Sequence, residues 1–244
     1  MLISDTRERA GDLESFVDAA LAGGVDIVQL RDHGASHAEL LAALTRMRKV
    51  SYRYQGLVAV YESGTLAREF DTDVLQLPGD GLSAAKARKF LHQWAVIGRS
   101  CHSVAEVDQA FADPQVDYLT VGPVFGPLGT SGYLPGLELV RHTVEAAAHA
   151  LPGPKPWFAV GGITETNLDE VLAAGARRIA VGRAITRAID PGAAAASLKR
   201  RLRDAWNNDP AMEKVVFDAF RSGSGAGAVI PGRPDSGLSA GLDL

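Results

Sequence analysis

The chain has one cysteine, Cys101. A single thiol excludes an intrachain disulfide and a cysteine-rich zinc site. No basic stripe is present either; acidic and basic residues are interspersed and sum to −4 at pH 7. Nucleic-acid surfaces are built from clustered Lys and Arg, so no nucleic-acid partner is expected. Long apolar runs are absent as well. None approaches the roughly 20 residues that cross a bilayer, so no membrane partner is expected. The opening "MLISDTRERAGD" turns polar too soon for a secretion signal. These absences lead to the expectation of a cytoplasmic enzyme.

What is present is alternation. Apolar residues make up 46% of the chain, enough to fill a sizeable core. Short β-rich runs ("LIS", "VDIVQL", "GLVAV", "DVLQL", "WAVIG", "VDYLTVG", "PWFAVGG", "RIAVGRAI") alternate with helical stretches such as "DLESFVDAALAGG" and "SHAELLAALTRMRKVSYRY". Apolar residues recur there at three- and four-residue spacing, and glycines punctuate the helix ends. Eight such units predict an α/β protein with a (β/α)8 TIM barrel over residues 1–206. A doubly wound open sheet is the rival; it more often shows six strands and a glycine fingerprint after the first. Residues 207–244 read as a C-terminal extension, with "PAMEKVVFDAFR" helical and the Gly/Ser/Pro-rich remainder disordered.

In a barrel, chemistry sits at the C-terminal ends of the strands. Applied strand by strand, that rule delivers Asp5, then Gln29, Arg31, Asp32 and His33, then Tyr61, Glu62 and Ser63, then Gln76 and Asp80, then Arg99, Ser100, Cys101 and His102. A Gly/Pro-rich loop follows strand 6. Strand 7 ends in Gly161-Gly162 and strand 8 in Gly182-Arg183. Glycines at these last two positions let backbone N–H groups approach a phosphate, with a helix N-terminus behind them and Arg183 beside them. Thr164 or Thr166 is the expected cap of that helix. Tight βα turns are the competing use of the same glycines. His102 is placed to move a proton, or merely precedes a helix for which Ser103 is the better cap. Cys101 reads as a buried small hydrophobe. Glu62 and Asp80 are either Mg²⁺ ligands or solvated loop acids.

Taken together, "GDLESFVDAALAGGVDIVQLRD", "IGRSCHS", "DYLTVGPVF", "PGLELVR", "KPWFAVGGIT" and "VLAAGARRIAVGRAI" resemble the thiamine phosphate synthase/TenI family, over residues 1 to about 206. The resemblance implies the barrel fold. Synthases of the family join a pyrimidine diphosphate to a thiazole phosphate, release diphosphate and need Mg²⁺. Some TenI members are metal-independent tautomerases acting on the thiazole phosphate. The family's Q-L-R stretch lines the pyrimidine–diphosphate pocket. Gln29 and Arg31 match it, and His33 stands where a lysine is usual. By the same resemblance Gly161, Gly162, Gly182 and Arg183 hold the thiazole's phosphate, and His102 matches the TenI acid/base.

The departures lie on the diphosphate side. The family's N-D-R after strand 3 is Tyr61-Glu62-Ser63, and its H-L-G-Q-x-D after strand 4 is "QLPGDG". That puts Gln76 at the histidine and Gly81 at the second metal aspartate, one residue from Asp80. The loop lysine after strand 6 is missing before Tyr133. This pattern favours a TenI-like thiazole tautomerase with catalytic His102 and no cofactor. Substrate contacts would come from Gln29, Arg31, His33, Tyr61, Ser100, Gly162, Gly182 and Arg183. The alternative is a thiamine phosphate synthase with a remodelled Mg²⁺ site at Glu62 and Asp80. A second alternative is a non-catalytic phosphate-binding paralogue. The expected partners are a thiazole phosphate and, for the synthase, a pyrimidine diphosphate; self-association is left open.

Overall fold

A computed structural model describes residues 1–126, 134–150 and 155–212. Its eight strands are β1 (Leu2–Ser4), β2 (Ile27–Leu30), β3 (Leu57–Tyr61), β4 (Val74–Leu77), β5 (Val96–Cys101), β6 (Tyr118–Val121), β7 (Trp157–Val160) and β8 (Ile179–Ala180). They pair in chain order, every pair parallel. Leu2 bridges Val181, and the Ile3 N–H donates to the Val181 carbonyl at 2.8 Å, so the last strand meets the first. An open sheet would leave both edges unpaired; this sheet closes as a TIM barrel.

Helices fill the intervals: α1 (Leu13–Ala22), α2 (His37–Ser51), α3 (Gly64–Phe70), α4 (Ala84–Ala87), α5 (Val104–Ala112), α6 (Gly136–His149), α7 (Leu168–Ala173), α8 (Arg183–Thr186) and α9 (Pro191–Asn207). Local sequence accounts for several starts. Ser36 caps α2 in a reciprocal box with Glu39, and the Ser103 hydroxyl accepts from the Glu106 N–H at the start of α5. Neither Thr164 nor Thr166 caps α7, contrary to expectation. Asn167 occupies the cap position, its Oδ1 accepts from the Thr164 N–H, and the two threonine hydroxyls bond each other.

Alternation along each strand divides the core in two. Outward residues such as Val28, Leu75, Ile97, Leu119 and Ala159 pack against the helices. Inward residues Met1, Ala59, Val74, Tyr118 and Ala180 fill the barrel. Gly98 is part of that filling. A Cβ there would lie 2.1 Å from Cζ of Tyr118 and 2.4 Å from Oε1 of Gln76, so glycine makes room for a buried tyrosine. Met1–Ala205 form one compact unit, which holds the barrel. Of the expected extension, only residues 207–212 are described; 213–244 lie outside the described residues, as do 127–133 with Tyr133. No helix among the described residues is long and apolar enough to cross a membrane.

Candidate active site

Parallel strands present all their C-terminal ends at one face, so the residues picked out strand by strand share a mouth. At the β2–β3 corner the Arg31 guanidinium stacks on the Tyr61 ring at 4.4 Å. Its Nε donates to Nε2 of His33 at 3.2 Å, and the His33 ring meets Tyr61 edge-on at 6.0 Å. Arginine cannot accept, so His33 carries its proton on Nδ1 here. These three groups, with Glu62 and Ser63, line a cavity of about 190 Å³. Burial is the main cause that raises the Tyr61 hydroxyl above its ordinary pKa; Arg31 opposes it, and Glu62 and Asp80 add to it. Asp32 plays a different part. It accepts from the Thr6 hydroxyl and N–H and from the Gly34 N–H, which ties the first two loops together and holds its carboxyl below the usual range.

Glu62 is exposed and takes a left-handed backbone, φ 65°. Its N–H extends the sheet to the Gln76 carbonyl at 2.8 Å, while Ser63 N–H turns back to the Tyr61 carbonyl at 2.7 Å. A non-glycine residue held there costs about 1–2 kcal/mol. Asp80, also exposed, lies in the β4 loop. That loop is held from beneath by Arg99, which donates to the carbonyls of Pro78 at 2.7 Å and Leu82 at 2.8 Å. Arg99 therefore serves the loop rather than the mouth.

Gln29 and Gln76 project into the barrel, each only 2% exposed. Gln76 Nε2 reaches Ser100 Oγ at 3.0 Å and Thr120 Oγ1 at 3.1 Å. Among the described residues Oε1 of both glutamines lacks a partner. His102 follows β5, and its Nδ1 lies 2.7 Å from the Gly122 carbonyl. A carbonyl only accepts, so Nδ1 carries a hydrogen, and among the described residues Nε2 has no hydrogen-bond partner. Cys101, next to it, is buried, and its thiol is pushed up to about 12 by desolvation and by Glu106. Such a thiol is no nucleophile.

At β7, the turn explains its own glycines. Gly161 and Gly162 have φ 100° and 65°, and a Cβ on Gly162 would come within 2.3 Å of the Phe125 carbonyl. Gly182 differs: its φ is −112°, and a Cβ would first meet the Ile3 carbonyl at 3.4 Å. The expected helix dipoles are weak here. Helix α7 starts at Leu168, beyond the turn, and α8 has 4 residues.

Among the described residues no three His, Cys, Asp or Glu side chains gather as a metal cluster. Mg²⁺ asks for less, since one or two carboxylates suffice when water and substrate phosphates complete the octahedron. Glu62, at the end of β3, and Asp80, in the β4 loop, are exposed carboxylates at neighbouring strand ends, the residue type that this lesser demand requires. Sequence reasoning passed over Thr120 and Gly122. Thr120 lies in β6 and Gly122 just after it, a strand already read as such, but only the closed barrel brings them beside Gln76 and His102, which lie 44 and 20 residues away.

Comparison with known proteins gives a consistent result. The family model described as thiamine monophosphate synthase matches residues 1–185. The thiamine-phosphate synthase of Streptomyces avermitilis is 48% identical over 205 residues, covering 84% of this chain and 93% of that protein. That of Saccharopolyspora erythraea is 46% identical over 207 residues, covering 82% and 91%. The thiamine phosphate pyrophosphorylase structure from Pyrococcus furiosus superposes with a TM-score of 0.71 at 29% identity, covering 84% of this chain and 96% of that one.

Proposed function

The chain belongs to the thiamine monophosphate synthase family, and from that premise we propose that it joins a pyrimidine diphosphate to a thiazole phosphate with release of diphosphate. The observation that carries this reading is the Arg31 guanidinium stacked on Tyr61 in the cavity that Glu62 also lines at the β2–β3 corner. This corner offers one cation for the diphosphate and one carboxylate for a divalent ion, and Asp80 of the β4 loop is the second carboxylate the reading requires. The synthase reading displaces the tautomerase as the principal one, because the relatives at 48% and 46% identity are named as synthases.

The leaving diphosphate is the difficult part of the reaction. Bound Mg²⁺ would offset its growing charge, and Glu62 and Asp80 are the residues to hold the ion. Arg31, oriented by Tyr61 and His33, adds a fixed positive edge. The Asn and Arg of the family's strand-3 motif are replaced by Tyr61 and Ser63. Each absent contact is worth on the order of 2–4 kcal/mol in the transition state, so turnover is slower than an ordinary synthase by several powers of ten. The test mixes purified protein with both substrates, with and without Mg²⁺, and measures thiamine phosphate. Slow, Mg²⁺-dependent formation that is lost in Glu62→Gln supports the reading; no product at any enzyme concentration refutes it.

One observation favours a second reading. His102 donates Nδ1–H to Gly122, and among the described residues its Nε2 has no partner, the arrangement a general base requires. A thiazole phosphate tautomerase would need that base and an anion site around Gly182 and Arg183, with no metal. Isomerisation unaffected by chelator and abolished in His102→Ala would select it.

A further inference from the structure

Closure of the barrel puts β1 between β8 and β2, so the loop after β1 meets both neighbouring corners of the mouth. On one side it grips β2. Arg31 N–H donates to the Ser4 carbonyl at 2.8 Å. The Thr6 hydroxyl and N–H both reach Asp32 Oδ2, at 2.7 and 3.2 Å. On the other side the loop grips the segment after β8. Arg7 Nη1 donates at 3.3 Å to the carbonyl of Thr186, the last residue of α8. Helix-end carbonyls lack intrahelical partners, and a cation suits them. Nε and Nη2 of the same guanidinium hold the two Asp12 oxygens at 2.6 and 2.7 Å, and its carbon lies 3.9 Å over the Phe16 ring of α1. Three nitrogens thus serve two partners in fixed directions, which suits a guanidinium fork and not an ammonium.

The backbone at Arg7 is equally constrained. Its φ of 51° is a left-handed conformation that persists in a non-glycine residue when the surroundings enforce it. Its N–H donates to Asp5 Oδ1 at 3.1 Å, and its carbonyl accepts from Ala10 and Gly11. The Arg7 side chain is 14% exposed, while Glu8, Arg9 and Ala10 beside it are exposed. A cavity of about 450 Å³ lies between this loop and the start of α2, so polar contacts rather than packing hold the loop on that side.

We infer that Arg7 is a positioning residue for the reaction, and that the β1 loop it anchors fixes the β8 corner, with Gly182 and Arg183, in place against the β2 corner, with Arg31. Forming a bond between two substrates requires both to be held in one geometry. Arg31 and the Gly182–Arg183 backbone follow different strands, each paired to β1, and the β1 loop is bonded to both corners. A shift of about 1 Å between corners can cost about a hundredfold in rate, although each corner still binds its own ligand. The effect therefore falls on turnover rather than affinity. Which reaction is affected rests on the synthase reading; the mechanical link between the corners does not.

Two measurements test this. Hydrogen exchange on the full chain reads the link without ligands. The Ile185, Thr186 and Arg187 N–H groups bond the Gly182 and Arg183 carbonyls, so their exchange reports the β8 corner. Arg7→Ala should raise that exchange about tenfold, and so should Asp32→Ala, which removes the acceptor on the β2 side. Amides of β4 and β5 should exchange as in the parent. The second measurement sets single-turnover rate beside calorimetric affinity for pyrimidine diphosphate and for thiazole phosphate. Arg7→Ala should lower the rate about ten- to a hundredfold and leave both affinities within about twofold. Arg7→Lys keeps the charge without the fork and should be as slow. Guanidinium ion added to Arg7→Ala should restore part of the rate, which a loss of folded protein would not show. Exchange in Asp32→Ala that rises at residues 31–35 and not at Ile185 overturns the inference. So does an Arg7→Ala chain as fast as the parent, or one slowed through lost affinity. Should Arg7→Ala fail to fold, Arg7→Lys and Asp32→Ala carry the same two readouts. If the parent binds neither compound while the Asp32→Ala change still reaches Ile185, the synthase reading fails and the link stands.

Discussion

The Arg31 guanidinium lies 4.4 Å above the ring of Tyr61, a residue 30 positions further along the chain on the neighbouring strand. Stacking holds the planar cation flat, and the Nε bond to His33 fixes its rotation. The remaining edge is then available to an anion without further ordering. Tyr61→Ala should therefore weaken diphosphate binding about two- to fivefold, the scale of a cation–π contact near the surface at about 0.5–1 kcal/mol. Tyr61→Phe keeps the ring face and should bind as the parent does. Equal losses in both variants, read by calorimetry, would show that the hydroxyl matters and the stack does not.

Glu62 separates function from stability. Its left-handed backbone would be relaxed by glycine, at about 1–2 kcal/mol, while glycine's greater unfolded-state freedom takes back roughly 0.5–1 kcal/mol. Glu62→Gly is thus expected to melt at or slightly above the parent temperature while losing Mg²⁺-dependent turnover. A clear drop in melting temperature would mean that the carboxylate supports the fold.

The two phosphate-side glycines should behave differently. Gly162→Ala forces a Cβ within 2.3 Å of the Phe125 carbonyl at a positive φ, so it should destabilise the protein by several kcal/mol and report little about ligands. Gly182→Ala meets its first neighbour at 3.4 Å and should fold normally. If phosphate binds close to that backbone, Gly182→Ala lowers affinity for thiazole phosphate with an unchanged urea midpoint. Unchanged affinity would leave the glycine to the turn alone.

Acid should loosen the loops around the first two strands. The Asp12 carboxyl is held low by Arg7, whose guanidinium bonds it at 2.6 and 2.7 Å, and Asp32 is held low by Thr6. A carboxyl whose folded pKa lies below its unfolded value contributes stability fully above about pH 4, and that contribution disappears as pH falls through the folded value. Urea unfolding between pH 3 and 7 should show stability declining on the acid side, with a shallower decline in Asp32→Asn. An identical acid slope in that variant would count against Asp32 as a source of it.

Cys101 should resist alkylation at pH 8 in the folded protein and react only on unfolding, because burial has pushed its thiol up to about 12. Rapid labelling of the native chain would contradict both the burial and the shift.

Much of this protein was legible before any coordinates. The strand-and-helix alternation named the barrel, because side-chain periodicity is a local property and eight repeats of it leave few closed arrangements. Ser103 as a helix cap and Cys101 as a core residue followed from the immediate neighbours of each. The residues at the strand ends were also readable, since a parallel barrel sends every C-terminal end to one face. Direction and partnership were not. That Arg31 stacks on Tyr61, that Gln76 feeds Ser100 and Thr120, and that Arg99 turns away to hold the β4 loop depend on strands brought together by closure. The sequence offers Gly162 as part of a phosphate site; that the Phe125 carbonyl also requires a glycine there depends on the packed turn. Local sequence sets backbone preference and burial, but a hydrogen bond needs its partner's position, and partners from separate strands acquire positions only when the sheet closes.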